Sequence, residues 1–256
     1  MGVYLRPRRL EEALSALARP HAVLAGGTDF YPARVGRAVD EDVLDIGGID
    51  VLRGIAAGPA GWRLGATTTW TELLQVGGRQ IKNAGTLAGN ICNASPAADG
   101  VPGLLALDAE VEIAGPASRR LPLRQFITGV RSTALAPGEL VVAIHVPRQD
   151  GESAFLKLGA RRYLVISIAM AAATLAFDEG RVAAARVAVG ACSPVAERLP
   201  ALESALVGVP RDRLADCVDA AQLAPLTPID DVRGSADYRR DAVVTLLRRL
   251  LTSFAR

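Results

Sequence analysis

The sequence predicts an α+β protein of two domains, and three features of its pattern carry that reading. Through residue 147, short apolar strands and short amphipathic helices alternate along the chain. The polar, Gly- and Pro-containing run Pro147 to Glu152 interrupts this pattern and reads as a boundary. Beyond it, two apolar stretches separated by Asp178-Glu179-Gly180 suggest an antiparallel hairpin, after which helices dominate. The domains are therefore placed at 1–147 and 152–256, the second the smaller.

The elements follow in order. Residues 9–18 read as an amphipathic helix with Leu10, Ala13, Leu14 and Leu17 on one face. An apolar strand, Ala22 to Ala25, runs into Gly26-Gly27-Thr28-Asp29, and a second, Val43 to Ile46, ends in Gly47-Gly48. Trp62 to Ala66 reads as a strand, and Thr68 to Leu74 as the start of a helix with a threonine cap. Gln80 to Ala98 has loop composition and leads into an apolar helix at Val101 to Ala109. Strands at Glu110 to Ala114 and Leu140 to Val146 complete the first domain. In the second, Ile166 to Phe177 suits either helix or strand, whereas Arg181 to Gly190 alternates as a strand. Helices are expected at Ala196 to Leu206, Arg213 to Leu223 and Tyr238 to Phe254. The last presents Val243, Leu246, Leu247, Leu250 and Leu251 on one side.

Composition narrows the function. A chain of 256 residues can bury a substantial core, and 50% hydrophobic with 22% charged residues suits a soluble globular protein. Its 29 basic residues are interspersed with 27 acidic ones for a net charge of +2, which gives no basic stripe for nucleic acid. No apolar run reaches the roughly 18 residues of a membrane span, and Met1 to Arg9 has no secretory pattern. Cys92, Cys192 and Cys217 are odd in number and far apart, which suits a reducing cytoplasm. With no Cys-x-x-Cys pair and only His21 and His145, an iron–sulfur cluster, zinc or other metal on this chain is not expected. Any redox cofactor is thus organic or resides on a partner. The two lysines, Lys82 and Lys157, stand out in so arginine-rich a chain.

Two loops could hold a ligand. In Leu24-Ala25-Gly26-Gly27-Thr28-Asp29-Phe30, paired glycines let backbone come close to a ligand, and successive amides can point at phosphate oxygens. The loop is neither a Walker motif nor Gly-x-Gly-x-x-Gly, and a plain turn would read the same way. The second loop runs from Thr86-Leu87-Ala88-Gly89-Asn90-Ile91-Cys92-Asn93 through Ala94-Ser95-Pro96-Ala97-Ala98-Asp99, with small residues and hydrogen-bonding groups. Asp99 admits two readings, an N-terminal cap on the following helix or an acceptor for a ribose or ribityl hydroxyl.

These loops occur in one familiar context. They lie with Gln80-Ile81-Lys82-Asn83 and Leu104-Leu105-Ala106-Leu107-Asp108-Ala109. Leu140-Val141-Val142-Ala143-Ile144-His145-Val146-Pro147 and Phe155-Leu156-Lys157-Leu158-Gly159-Ala160-Arg161-Arg162 follow. The closing segment is Pro228-Ile229-Asp230-Asp231-Val232-Arg233-Gly234-Ser235-Ala236-Asp237-Tyr238-Arg239. The chain resembles, over nearly its whole length, the FAD-binding or medium subunit of molybdenum hydroxylases of the carbon monoxide dehydrogenase and xanthine dehydrogenase type. The second loop and the closing segment are the specific marks.

The resemblance implies a two-subdomain α/β FAD-binding domain of the vanillyl-alcohol-oxidase-like type, with subdomains at about 1–56 and 57–147. A C-terminal domain with an antiparallel sheet and helices would follow. FAD would be held non-covalently, its diphosphate clamped by Val23, Leu24, Ala25, Gly26, Gly27, Thr28, Asp29 and Phe30 from the first loop. Thr86, Leu87, Ala88, Gly89 and Asn90 would close the clamp, with Ser95 further along the same loop. By the same resemblance Asp99 accepts from the sugar-like part of the cofactor, the Val141 backbone lies beside adenine or flavin, and Lys157 lies near the flavin. Arg161 and Arg162 suit either the flavin domain, a partner or plain surface. Gly234 would turn the chain and Ser235 cap the last helix, while Cys92 fills space. Two positions depart from the family: Ala88 replaces a usual glycine, and Leu73 to Gly78 is shortened, with Val76 where relatives can carry a bulkier residue over the flavin ring.

The implied activity is electron relay. Clusters of the [2Fe-2S] type on a small subunit would deliver electrons drawn from substrate at a molybdenum cofactor on a large subunit. FAD would pass them to NAD, oxygen or a quinone. The partners imply a cytoplasmic dimer of heterotrimers, with neither nucleic acid nor membrane insertion, and no catalytic acid–base pair on this chain. Two other readings are a stand-alone flavin oxidoreductase, marked by flavin reduction without partner chains, and an assembly relative that has lost flavin, marked by background FAD affinity with tight partner binding.

Overall fold

The computed structural model describes residues 2–74, 83–161 and 165–255. The chain forms two compact units of equal length, one of Met1–Asn93, Glu110–Ile127 and Ser132–Arg148, the other of Ala94–Ala109, Thr128–Arg131 and Gln149–Arg256. Helices and sheets mix in both, so the fold class is α+β.

The first unit contains two sheets. Strands β1 (Tyr4–Leu5) and β2 (Ala22–Leu24) both pair in parallel with β3 (Val43–Asp45), giving the order β1-β3-β2 with β2 at an edge. Helix α1 (Leu10–Ala16) lies between β1 and β2 in the chain, and its Ala13 is fully buried beside Leu44, Ile46, Ile49 and Leu52. Glu11 and Glu12 in its first turn favour the positive end of the helix dipole. The second sheet is antiparallel, with β4 (Ile55–Gly58), β5 (Gly61–Gly65), β6 (Glu110–Ala114) and β7 (Arg119–Pro122) arranged around a later central strand. Short strands β8 (Ile127–Gly129) and β9 (Ser132–Thr133) form a separate ribbon before that strand, β10 (Leu140–Pro147). The sheet order is β4-β5-β10-β6-β7. Because β10 has neighbours on both sides, it reads as the continuous apolar run Leu140 to Ile144, all buried. Leu140, Val142 and Ala114 join the α1 cluster, so the two sheets share one core.

Three short helices complete this region: α2 (Trp70–Leu74), α3 (Leu87–Asn93) and, in the second unit, α4 (Gly100–Ala106). A capping box starts α2, for the Glu72 carboxylate accepts from the Thr69 amide and hydroxyl at 2.8 Å, and Thr69 Oγ1 accepts from the Glu72 amide at 3.3 Å. Helix α4 stops earlier than its apolar composition predicts. Asp108 takes a left-handed φ of +50°, the Ala109 amide donates to the Leu104 carbonyl at 2.9 Å, and the Asp108 amide donates to the Leu105 carbonyl at 3.1 Å. This is the Schellman closure, with aspartate standing where glycine is usual. Helix α5 (Leu123–Phe126) is a single turn that buries Leu123 and Phe126.

In the second unit an antiparallel sheet of order β11-β12-β13-β14 is built from Glu152–Leu158, Ala169–Asp178, Arg181–Gly190 and Glu197–Arg198. The ambiguous stretch from Ile166 to Phe177 is therefore strand from Ala169 onward. It closes a two-residue hairpin in which Glu179 and Gly180 both have positive φ, the geometry that matches strand twist. The small residues Ala169, Ala171 and Ala173, with Leu175, line the core beneath the last helix, α7 (Ala236–Thr252). Helix α4 packs on β12 and β13, where Pro102 reaches Gly190. That packing draws the Ala94–Ala109 segment into this unit.

Two helical expectations are corrected. Ala196 to Leu206 is a short strand, β14, followed by α6 (Pro200–Leu206), because Pro200 starts a helix well but cannot continue one. Arg213 to Leu223 is two 3₁₀ turns, Arg211–Cys217 and Ala220–Leu223, interrupted by extended Val218 and Asp219. Asp219 accepts from the Ala221 amide and so restarts the chain as a new cap.

Candidate cofactor-binding site

The first loop leaves edge strand β2 after buried Leu24, with Val23 exposed just before it. Gly27 has φ +73°, the left-handed region that glycine enters without strain. At Gly26 the requirement is space. A Cβ there would lie 1.6 Å from the Ala84 carbonyl oxygen and 3.2 Å from Gly85 Cα, so the loop rests directly on the backbone that precedes the second loop. The amides of Gly26, Gly27 and Thr28 have no acceptor among the described residues. Three successive donors are thereby left for water or a ligand. Ala25 is half-buried and packs on the α1 cluster. Phe30 carries the Arg34 guanidinium 3.7 Å above its ring, and its carbonyl accepts from Arg34 at 2.8 Å.

The first half of the second loop, read from its composition as loop, is helix α3, capped by Thr86. Thr86 Oγ1 accepts from the Gly89 amide at 3.0 Å and its carbonyl from the Asn90 amide at 3.0 Å. The Leu87 amide donates to the Thr68 carbonyl at 2.9 Å and the Trp70 amide to the Gly85 carbonyl at 3.2 Å, which ties the starts of α2 and α3 together. Of the amides from Leu87 to Asn90, that of Ala88 is the one without an acceptor among the described residues. The side chains of Thr86, Leu87 and Ala88 are buried, so the extra methyl of Ala88 is absorbed by the core. Asn90 Oδ1 is enclosed yet has no hydrogen-bond partner among the described residues. A side-chain tie joins the two loops, with Asn93 Nδ2 donating to Asp29 Oδ1 at 2.8 Å. Asn83 is likewise anchored, accepting from Thr71 Oγ1 at 2.6 Å.

In the second unit the structure brings Asp99 and Lys157 together. Lys157 Nζ donates to Asp99 Oδ2 at 2.6 Å and to the Val165 carbonyl at 3.4 Å, while Ser167 Oγ donates to Asp99 Oδ1 at 2.6 Å. Asp99 makes no side-chain cap on α4, so that reading of the sequence is set aside. Each carboxylate oxygen keeps a lone pair to accept one further hydroxyl. Ser167, fully buried, was not singled out by the sequence. It lies in a stretch whose helix-or-strand ambiguity hid its register, and no local motif marks it. Ser95 sits just after Ala94, whose φ is +46°, and makes a local turn in which its hydroxyl accepts from the Ala97 amide at 3.4 Å.

Other candidates fall elsewhere. Val141 is buried in central strand β10, paired with Ile113 beside a register shift. Val76 and Arg162 lie outside the described residues, as do Gln80, Ile81 and Lys82. Burial pushes the Cys92 thiol up to about 12 and the Cys192 thiol to about 11, which favours the protonated form of both. Among the described residues no cluster of His, Cys, Asp and Glu could hold a metal ion, and no helix is long and apolar enough to cross a membrane.

A glycine loop seated on the backbone before a capped helix, with unpaired amides, is suited to hold an anionic group such as a phosphate. Residues 1–149 match the FAD binding domain in molybdopterin dehydrogenase, residues 154–254 match the CO dehydrogenase flavoprotein C-terminal domain, and the chain belongs to this family of FAD-binding oxidoreductase subunits. It is 30% identical to a putative xanthine dehydrogenase FAD-binding subunit of Escherichia coli, over 97% of this chain and 94% of that one. It is 30% identical to the carbon monoxide dehydrogenase medium chain of Afipia carboxidovorans, over 96% and 94%. Among solved structures, a reconstituted CO dehydrogenase from Oligotropha carboxidovorans superposes with a TM-score of 0.90 at 28% identity, covering 100% of this chain and 98% of that one. Quinoline 2-oxidoreductase from Pseudomonas putida gives a TM-score of 0.88 at 25% identity, over 100% and 97%.

Proposed function

We propose that the chain is the electron-relay subunit of a molybdenum hydroxylase complex and holds FAD non-covalently. The observation that carries this reading is the seat of Gly26 on the Ala84 carbonyl, which leaves the Gly26, Gly27 and Thr28 amides unpaired beside the capped start of α3. The residues fit the group. A methyl at Gly26 would strike the Ala84 backbone and one at Gly27 the Tyr31 ring, so the loop keeps its close-set amides only with glycine there, and enclosed Asn90 Oδ1 lacks a partner among the described residues. We further propose that residues 1–147 form the vanillyl-alcohol-oxidase-like FAD-binding domain, with subdomains near 1–56 and 57–147.

When bound, FAD supplies the change between one- and two-electron transfer. The chain's own residues bind and orient. The amides from Gly26 to Thr28, with that of Ala88, complement diphosphate charge, and the Thr86 cap holds α3 in place to do so. Asp99 accepts a cofactor hydroxyl while Lys157 and Ser167 fix its carboxylate. Electrons reach this subunit from iron–sulfur clusters of a small subunit, after leaving substrate at the molybdenum cofactor of a large one, in a cytoplasmic dimer of heterotrimers. Coexpression with those partners and purification should yield oxidised-flavin absorption bands and close to one FAD per chain. A complex assembled at full occupancy yet colourless would refute flavin binding, and the flavin-free assembly role would replace it.

A further inference from the structure

We infer that Ser167 is a positioning residue for Asp99, held in place by Arg239 of the closing signature. This rests on the reading that Asp99 receives a cofactor hydroxyl. Ser167 is 1% exposed, and its Oγ donates to Asp99 Oδ1 at 2.6 Å, so it is too enclosed to meet a ligand and acts through the carboxylate. The Asp99 side chain is 47% exposed and the Lys157 side chain 28%. An ion pair so open to water holds its geometry weakly. A buried hydroxyl on the opposite oxygen supplies the second point that sets the carboxylate plane.

The Ser167–Ile168 segment is itself anchored from both sides. The Ile168 amide donates to the Leu158 carbonyl at 2.8 Å, next to Lys157 in β11. The Ile168 carbonyl accepts from Arg239 Nη1 at 2.5 Å, and the same nitrogen donates to the Ala191 carbonyl at 2.9 Å. Arg239 is 2% exposed, and its charge is met by Asp231 Oδ1 at 2.7 Å. Asp231 is held in turn by the Arg233 amide at 2.7 Å and by its turn with Gly234. One short segment thus fixes both donors to Asp99, and the signature from Asp231 to Arg239 fixes that segment. This gives the closing signature a role at the site beyond capping α7.

The test is a double-mutant cycle on the full chain stripped of flavin, read as FAD affinity by titration with thermal stability followed in parallel. Ser167→Ala should weaken FAD about tenfold, the scale of one hydrogen bond to a charged group. Asp99→Ala should weaken it at least as much, and Ser167→Ala should add nothing in the Asp99→Ala background. Ser167→Thr, which keeps the hydroxyl, should restore affinity and covers the case in which the alanine variant fails to fold. An equal further loss in the Asp99→Ala background would reveal a merely structural serine and overturn the inference. Unchanged affinity in Ser167→Ala beside a weakened Asp99→Ala would overturn it while sparing the Asp99 reading. Unchanged affinity in Asp99→Ala would remove that reading and the inference with it.

Discussion

Gly26→Ala is the sharpest probe of the loop junction. The new methyl would be built 1.6 Å from the Ala84 carbonyl oxygen, 2.6 Å from its carbon and 3.2 Å from Gly85 Cα. Non-bonded carbons rest roughly 3.5–4.0 Å apart, so the loops must separate by about 2 Å. The obstacle is backbone, which cannot swing aside as a side chain can. Overpacking of this kind costs about 1–3 kcal/mol, and the upper part of that range lowers Tm by about 4–10 °C in a chain of this size. Separation also moves the Gly26 to Thr28 amides away from α3, and FAD affinity should fall at least about tenfold, which corresponds to about 1.4 kcal/mol. Gly36→Ala is the matched control. Gly36 has φ +75° with nothing within 4 Å of a Cβ, so alanine there bears only the left-handed cost of about 1–2 kcal/mol and should bind FAD normally. Flavin titration and thermal melts of both variants decide the matter. Wild-type FAD affinity in Gly26→Ala would show that the seat on Ala84 does not shape the site.

Further outcomes concern charge and thiols. Burial raises the Glu112 carboxyl, but the hydrogen bond from His145 at 2.5 Å and the Arg63 charge outweigh it and hold the group below its usual range. A depressed carboxylate stabilises the fold above its unfolded value of about 4.3, and that contribution is lost as pH falls through the folded value. Glu112→Gln should therefore cost about 1–2 kcal/mol at pH 7 and progressively less below pH ~4, in denaturant titrations across pH. A constant difference at every pH would contradict it. Cys92 and Cys192, raised to about 12 and about 11 by burial, should resist iodoacetamide at pH 8 in the native chain and react once it is unfolded. Rapid native labelling of Cys92, read by mass spectrometry, would show that the α3 segment opens.

Much of the site was legible because its signals are local. A glycine pair after a strand, a threonine before a helix and a serine capping an amphipathic run each depend on neighbours within a few residues. Thr69 and Ser235 indeed cap α2 and α7, whereas the helix α3 that Thr86 caps lay inside a stretch of loop composition. The Asp178-Glu179-Gly180 turn likewise announced its hairpin. Where the reading went astray, a distant partner or a competing cap decided. The run from Arg213 carries helical composition, but Asp219 caps the Ala221 amide and splits it into two 3₁₀ turns.

By itself, then, the sequence determined the class of fold, the two loops and the family, since strand period, turn chemistry and capping are written within short windows of chain. Only the tertiary structure decided what those residues touch. It seated Gly26 on Ala84, joined Asp29 to Asn93, and turned Asp99 from a helix cap into the partner of Lys157 and Ser167. It also placed helix α4 on β12 and β13, and so the Ala94–Ala109 segment in the second unit. The physical reason is that such contacts join residues tens of positions apart in the chain. Their geometry follows from how buried surfaces pack together, which no local pattern encodes.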